Sequence, residues 1–366
     1  MILYYYPQWL CICTWRFLKL FIESLGQFPW RLSSIPRLVL VSLLSGFTIA
    51  ISYLHLTLVF VERLILAPFI SFIPYPTVFI LGAPRSGTTR MHKLMAADDT
   101  TFSAMKMWEL FFAPSICQKL LLIGLGKIDG FFGAPFFKLI QFVERRVYKN
   151  FNNIHQLGLF NVEEDALILF HLFSSYHLSF LLGKEQSYHN LNYDKGVPKA
   201  VWAYYKICVD NHMRLNRGKI YLSKNPFFSA ATKSLEVLFG APKFIYMNRD
   251  MKQVAPSFFS LKTFLHRLFY GESPSEKKHK IMLQTLLFWQ NTGSSRAGES
   301  NKLNAHFSEL TSQPISLIHR IYSFLKLSPS PAYKEILSRE AENAKHYKSK
   351  HSYATKEFDL DRWSQD

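Results

Sequence analysis

The chain has 366 residues, 49% of them hydrophobic and 33 of them Phe, enough for one large α/β domain plus an appendage. Lys and Arg outnumber Asp and Glu by 43 to 26, and the formal charge of +17 suits an anionic partner such as a nucleotide or a membrane surface. The basic clusters Lys277–Lys280 and Lys345–His351 come with no helix-turn-helix, zinc-finger or RNP pattern, so no nucleic-acid partner is expected. Cys11, Cys13, Cys117 and Cys208 form neither a C-x-x-C pair nor a zinc-binding spacing.

Residues 1–75 are dominated by apolar and aromatic side chains. From Leu38 to Val61 run 24 residues without Asp, Glu, Lys or Arg, long enough at 1.5 Å per residue to cross a bilayer core of about 30 Å. Ser42, Ser45, Thr48, Ser52, His55 and Thr57 dilute the run. Trp9, Trp15 and Trp30 with Arg16, Lys19, Arg31 and Arg37 supply an interfacial flank. The expectation is a pair of membrane-associated helices, spanning or lying in the plane. The bland alternative is a helical subdomain packed on the rest. A cleaved signal peptide fits poorly, because the opening residues lack a charged n-region and no small-residue cleavage site follows.

After Pro74 and Pro76, Thr77-Val-Phe-Ile-Leu81 reads as a buried parallel strand. Gly82-Ala-Pro-Arg-Ser-Gly-Thr-Thr89 follows at once, and Arg90–Ala97 reads as a helix. Strand, Gly-containing loop and helix N-terminus form an anion site, with backbone N–H groups and the helix dipole converging on a phosphate. The Ser86, Thr88 and Thr89 hydroxyls add donors, and Gly87 permits close approach. A nucleoside-triphosphatase loop places Lys after its second Gly; here Thr88 stands there, and Arg85 is the cation aimed at the anion. That argues against a P-loop phosphotransferase and toward a ligand with a simpler 5′ anion.

Ala241–Asn248 reads as a second strand, followed by Arg249-Asp250 and a helical pattern through Ser257. Asp250 is placed to cap that helix, whose turns bring Ser257 back beside Arg249 at the strand's carboxyl end, where open α/β sheets bind ligands. Between the two elements lies Tyr221-Leu-Ser-Lys-Asn-Pro226, with a helical run to Phe239.

Pro84-Arg-Ser-Gly-Thr-Thr89 after a hydrophobic strand resembles the 5′-phosphosulfate loop of sulfotransferases that use 3′-phosphoadenosine 5′-phosphosulfate (PAPS). The likeness is to the broad bacterial and lipid-type group, and more distantly to the tyrosylprotein sulfotransferases. Arg249 and Ser257 match the family's R-D-x(6)-S element, which implies that they hold the 3′-phosphate. Lys224 matches the lysine that approaches the transferred sulfuryl group. Met107-Trp-Glu109 is similar to the family's W-E segment, and His155 with Glu163-Glu-Asp165 to its H…E-E-D segment. His306-Phe-Ser-Glu-Leu through Arg320-Ile-Tyr-Ser-Phe-Leu is similar to its closing helices, and Ser352-Tyr353 with Phe358-Asp-Leu360 to its tail.

The resemblance implies a three-layer, P-loop-like α/β fold with a mainly parallel sheet over residues 76–366, preceded by the hydrophobic helices of residues 1–75. It implies a sulfotransferase whose donor is held by Arg85, Ser86, Gly87, Thr88, Thr89, Arg249, Ser257 and Tyr353. Lys224 then assists the leaving group. Glu109, or else His155, takes the acceptor proton, with Glu163, Glu164 and Asp165 orienting the base or the acceptor. No metal is implied, because the donor already carries an activated sulfuryl group. The acceptor is expected to be a hydroxyl on a lipid, glycan or other hydrophobic small molecule, since the N-terminus faces a membrane. A nucleotide-binding scaffold without turnover is the non-enzymatic alternative.

Overall fold

The structure, a computed structural model, describes residues 2–25, 35–66, 74–147, 158–178, 193–270, 273–294 and 300–346. His155, Tyr353 and the Ser352–Leu360 tail lie outside the described residues. Five parallel strands form one sheet in the order β2-β3-β1-β4-β5: β1 (Thr77–Gly82), β2 (Phe102–Ser103), β3 (Ile220–Lys224), β4 (Lys243–Asn248) and β5 (Lys302–His306). β1 is central and buried along its whole length, as its unbroken apolar sequence requires. It pairs Thr77–Ile80 with Tyr221–Lys224 on one side and Val78–Gly82 with Lys243–Met247 on the other. That register brings the ends of β1, β3 and β4, and the segments that follow them, to one edge of the sheet.

Side chains alternate across the strands and build two cores. Val78, Ile80, Leu222, Ile245 and Met247 face α3 (Thr88–Ala96) and the C-terminal helices through Met91, Leu94, Ile318 and Ile321. Phe79, Leu81, Tyr221, Phe244 and Tyr246 face the opposite layer, with Val201, Tyr204, Tyr205 and Val209. These two faces make three layers, the architecture the sequence implies.

The remaining helices, apart from the single turn Tyr193–Gly196, follow in chain order. α1 spans Ile2–Leu25, α2 Ile35–Leu66, α4 Met107–Phe112, α5 Ile116–Phe131 and α6 Pro135–Val147. α7 spans Lys199–Arg214, α8 Thr232–Phe239, α9 Met251–Tyr270, α10 Glu276–Ser294, α11 Phe307–Ser312, α12 Pro314–Phe324 and α13 Pro331–His346. Single 3₁₀ segments cover Asp165–Leu172 and Pro226–Ala230.

The N-terminal helices are not a detached appendage. Trp9 and Cys13 of α1 and Leu56 and Val59 of α2 are buried in the same core as β1. Trp9 Nε1 donates to the Ala200 carbonyl at 2.7 Å, and its ring meets Tyr204 edge-on. The Glu62 carboxylate of α2 accepts from the Cys117 amide and from Asn211 Nδ2, each at 2.9 Å. Polar groups fixed this way hold the second half of α2 against the domain. Its first half carries exposed Leu43, Leu44 and Phe47. Ser42–Leu66 is long and apolar enough to cross a membrane by length and composition.

Candidate active site

The β1–α3 loop meets its conformational demands with two glycines and one strained residue. Gly82 has φ 136°, and a Cβ there would stand 2.5 Å from the Met247 carbonyl oxygen; Gly87 has φ 93°, and a Cβ there would stand 2.5 Å from Phe307 Cδ2. Both positions therefore require Gly. Arg85 adopts φ 71° despite its side chain, a conformation costing roughly 1–2 kcal/mol that the fold sustains at this point. Gly87 is the N-cap residue of α3 and offers no side-chain acceptor, so the first amides of α3 are open to an anion. The Ser86 hydroxyl is buried and makes no hydrogen bond among the described residues. A buried hydroxyl without a partner is costly unless a ligand supplies one. The loop thus fits a phosphate- or sulfate-sized group.

The second element closes on the first. Asp250 caps α9 through its carboxylate, accepting the Lys252 amide at 2.9 Å, and α9 carries Ser257 back to the loop. Arg85 Nε donates to Ser257 Oγ at 2.9 Å, and Arg249 donates through an Nη to the Arg85 carbonyl at 2.9 Å. Residues 164 and 172 positions apart in sequence are thereby tied into one cluster. Phe307, at the start of α11, is an addition to which the sequence reading gave no role in the site. Its ring lies under the Arg249 guanidinium, 4.0 Å from the centroid, while its edge abuts Gly87. Stacking of this kind pre-orients an arginine for bidentate recognition of an anion.

Lys224 ends β3 with its side chain fully buried. Its ammonium donates to Thr89 Oγ1 at 3.1 Å and to Glu164 Oε1 at 2.6 Å, joining the helix that closes the anion loop to the acidic segment. Glu164 Oε2 in turn contacts His177 Nε2 at 2.9 Å. Burial alone would raise the Glu164 carboxyl, but Lys224 and His177 outweigh it and hold the group well below the usual carboxylate range. His177 carried no motif; only the fold reveals it.

The three consecutive acids have separate roles. Glu164 is the counter-ion just described. Asp165 Oδ2 accepts from Tyr205 and Tyr221 at 2.5 and 2.7 Å in the core, and burial raises its pKa. Glu163 is buried, and its Oε1 makes no hydrogen bond among the described residues. Burial pushes its carboxyl up, with the Glu164 charge adding to the rise and Lys224 and Lys93 opposing it. Glu163 combines a raised pKa with an uncommitted oxygen.

Glu109 lies on α4, whose start is zipped to the same segment: the Glu163 amide donates to the Met105 carbonyl at 3.1 Å and the Met107 amide to that of Asn161 at 2.9 Å. The carboxylate, however, is fully engaged. Oε1 accepts from Lys119 Nζ at 2.9 Å and lies 3.0 Å from His212 Nδ1, while Oε2 accepts the Lys106 amide at 2.8 Å. Burial would raise its pKa, but His212, Lys119 and the Lys106 amide hold it well below the usual range. Such a depressed carboxylate stabilises the folded state above its ordinary value of 4.5, and that contribution is lost as the pH falls through the folded value. Glu109→Gln is therefore expected to lower the urea midpoint at pH 7 and to flatten its fall on acidification. A midpoint parallel to wild type from pH 7 to 3 contradicts this.

Comparisons with known proteins give the family and the fold. A model described as the sulfotransferase family matches residues 76–331. The fold is similar to that of sulfotransferase STF1 from Mycobacterium tuberculosis, with a TM-score of 0.65 and 13% identity over 93% of this chain and 90% of that one. It is also similar to sulfotransferase STF9 from Mycobacterium avium, with a TM-score of 0.64 and 15% identity over 83% of this chain and 77% of the other. A search of curated protein sequences returned no match. The matched region carries all five strands, the strained Arg85 loop, the Arg249–Ser257 element and the buried lysine between them, and the chain belongs to the sulfotransferase family.

Proposed function

We propose that the chain transfers a sulfuryl group from PAPS to a hydroxyl of a lipid, glycan or other hydrophobic acceptor. The observation that carries this reading is the closure of Arg85, Ser257 and Arg249 into one cluster at the strand ends. The two phosphate-bearing ends of such a nucleotide need two anion sites held at a fixed separation. Arg85, Ser86, Thr88, Thr89 and the open amides of α3 would hold the 5′ anion. Arg249 and Ser257 would hold the 3′-phosphate, with Tyr353 closing over the nucleotide. PAPS supplies an already activated sulfuryl group, so the residues need only bind, orient, balance charge and take the acceptor's proton.

In this reading Lys224 neutralises the negative charge that grows on the leaving phosphate as the acceptor oxygen bonds to sulfur and the sulfur–phosphate oxygen bond breaks. The acceptor's proton goes to Glu163. A carboxylate with a raised pKa and a free oxygen is a better base than Glu109, whose lone pairs already serve Lys119, His212 and the Lys106 amide. Glu109 instead ties the start of α4 to α5 and α7.

Turnover with a radiolabelled sulfuryl donor and a panel of lipid, glycan and small alcohols tests the reaction and the base together. Glu163→Gln is expected to lower kcat by about 10²–10⁴-fold with donor affinity intact, and Glu109→Gln to act mainly on stability. Because the base must be ionised, wild-type kcat should fall as the pH drops through the raised value of Glu163. The reverse pattern, with kcat lost in Glu109→Gln and kept in Glu163→Gln, restores Glu109 as the base.

A further inference from the structure

α5 and α6 form an elbow outside the layered core. Their axes meet at 103°, and end to end the pair is long and apolar enough to cross a bilayer, but the bend rules out a straight span. The elbow turns its apolar side chains outward. At the tip Phe131, Phe132 and Phe136 are 86%, 72% and 70% exposed, and Leu121, Ile128 and Leu139 extend the surface along both helices. A contiguous apolar surface of this kind on a folded chain marks an interaction site.

The backbone at the tip says what covers it. The Phe132 amide donates to the Ile128 and Asp129 carbonyls, Gly133 to Gly130 at 3.1 Å and Ala134 to Asp129 at 2.7 Å. Pro135 has no N–H. The Phe136 and Phe137 amides donate to the two Asp129 carboxylate oxygens at 2.9 and 3.0 Å, and the Lys138 amide returns to the Ala134 carbonyl at 3.0 Å. Every N–H from Phe132 to Lys138 is thus satisfied inside the bend. The bend therefore presents no unsatisfied N–H, which is the condition for entering an apolar medium. Asp129 also caps α6, so its charge rests on that helix's N-terminal amides.

The charges point the same way. Lys127, Lys138, Arg145 and Arg146 are exposed on the elbow, while its two acids are engaged by backbone: Asp129 at the bend, and Glu144 accepting the Leu159 amide at 2.6 Å. The Glu62–Cys117 bond fastens the start of α5 to α2, whose exposed apolar half lies upstream.

We propose that the α5–α6 elbow is a membrane-inserted wedge. Phe131, Phe132 and Phe136 enter the acyl region of an anionic phospholipid bilayer to a depth of about 5–10 Å, and the four cations engage its headgroups. The Glu144–Leu159 bond and the Phe137–Phe160 ring contact at 5.0 Å link the wedge to the segment leading into Glu163 and Glu164. Docking therefore holds that segment at the bilayer surface.

The test uses the full chain with exposed Cys11 and Cys117 replaced by Ser, and a polarity-sensitive fluorophore on Phe132→Cys. A control carries the label on Val237→Cys, a position 86% exposed on α8. The protein is delivered from detergent to vesicles of phosphatidylcholine alone or with one quarter phosphatidylglycerol. The expected result is a several-fold rise in emission at position 132, quenched by spin-labelled lipid, stronger with phosphatidylglycerol and absent at position 237. Emission at 132 that stays water-like in a chain floating with the vesicles overturns the wedge, because the N-terminal helices alone would then hold it. Equal insertion into both vesicle types removes the headgroup role. A dimer that Phe131→Asp/Phe132→Asp converts to monomer, with unquenched label, assigns the surface to a second copy instead.

Discussion

Replacing Lys224 by Met is expected to lower turnover by about 10²–10³-fold, the cost of removing one preorganised charge from a site where negative charge develops. The side chain is fully buried at the end of β3, between Thr89 at the mouth of the anion loop and Glu164. No other described cation is hydrogen-bonded to both elements. The substitution also leaves Glu164 hydrogen-bonded to His177 without its ammonium partner, and breaking a buried pair on one side costs about 3–5 kcal/mol. Lost activity could then reflect lost folding, which a second variant separates. Lys224→Met/Glu164→Gln removes both charges and should recover most of the denaturant midpoint while turnover stays low. A single variant that folds and turns over at the wild-type rate reduces Lys224 to a structural ion pair.

Arg249→Ala is expected to weaken binding of a 3′-phosphorylated adenine nucleotide by about 1.5–3 kcal/mol, the worth of a hydrogen bond to a charged group, or about 10- to 150-fold in Kd. The effect should be selective. Arg249 is held on Phe307 and against the Arg85 carbonyl, on the side of the cluster given to the 3′-phosphate, so affinity for 5′-AMP should change little. Arg85→Ala should weaken both nucleotides, because the proposed function places Arg85 at the 5′ anion that both carry. Calorimetric titration of both variants with both nucleotides reads the pattern. An equal loss for both nucleotides in Arg249→Ala indicates a general disturbance of the cluster and removes the 3′ assignment.

Much of this site was legible before the fold was known, for physical reasons. The run Val78–Leu81 is apolar throughout because β1 is covered on both faces, and the glycines after it answer to backbone angles that other residues adopt only under strain. Arg249, Asp250 and Ser257 lie little more than two helical turns apart, so local periodicity already places them near one strand end. What escaped reading depends on residues far apart in sequence. Lys119 and His212 reach Glu109 from α5 and α7, and no spacing rule links them. His177 meets Glu164 across the 3₁₀ segment Asp165–Leu172, and Phe307 gains its role only where β5 delivers it beneath Arg249. β3 was hidden by its mixed composition: Tyr221 and Ser223 alternate with Leu222 along the strand, and the carboxylate that takes the Tyr221 hydroxyl, Asp165, comes from another element. The N-terminal helices read as membrane-seeking because their composition is apolar. Composition could not foresee that Trp9, Cys13 and Leu56 would be spent on the sheet's own core.

The measurement that tests the central claim most directly is calorimetric titration of the detergent-solubilised protein with 3′,5′-adenosine bisphosphate, alongside 5′-AMP and ATP. The account predicts tight binding that depends on the 3′-phosphate and is lost in Arg249→Ala. A folded protein that binds none of the three, or that binds ATP in preference, contradicts it.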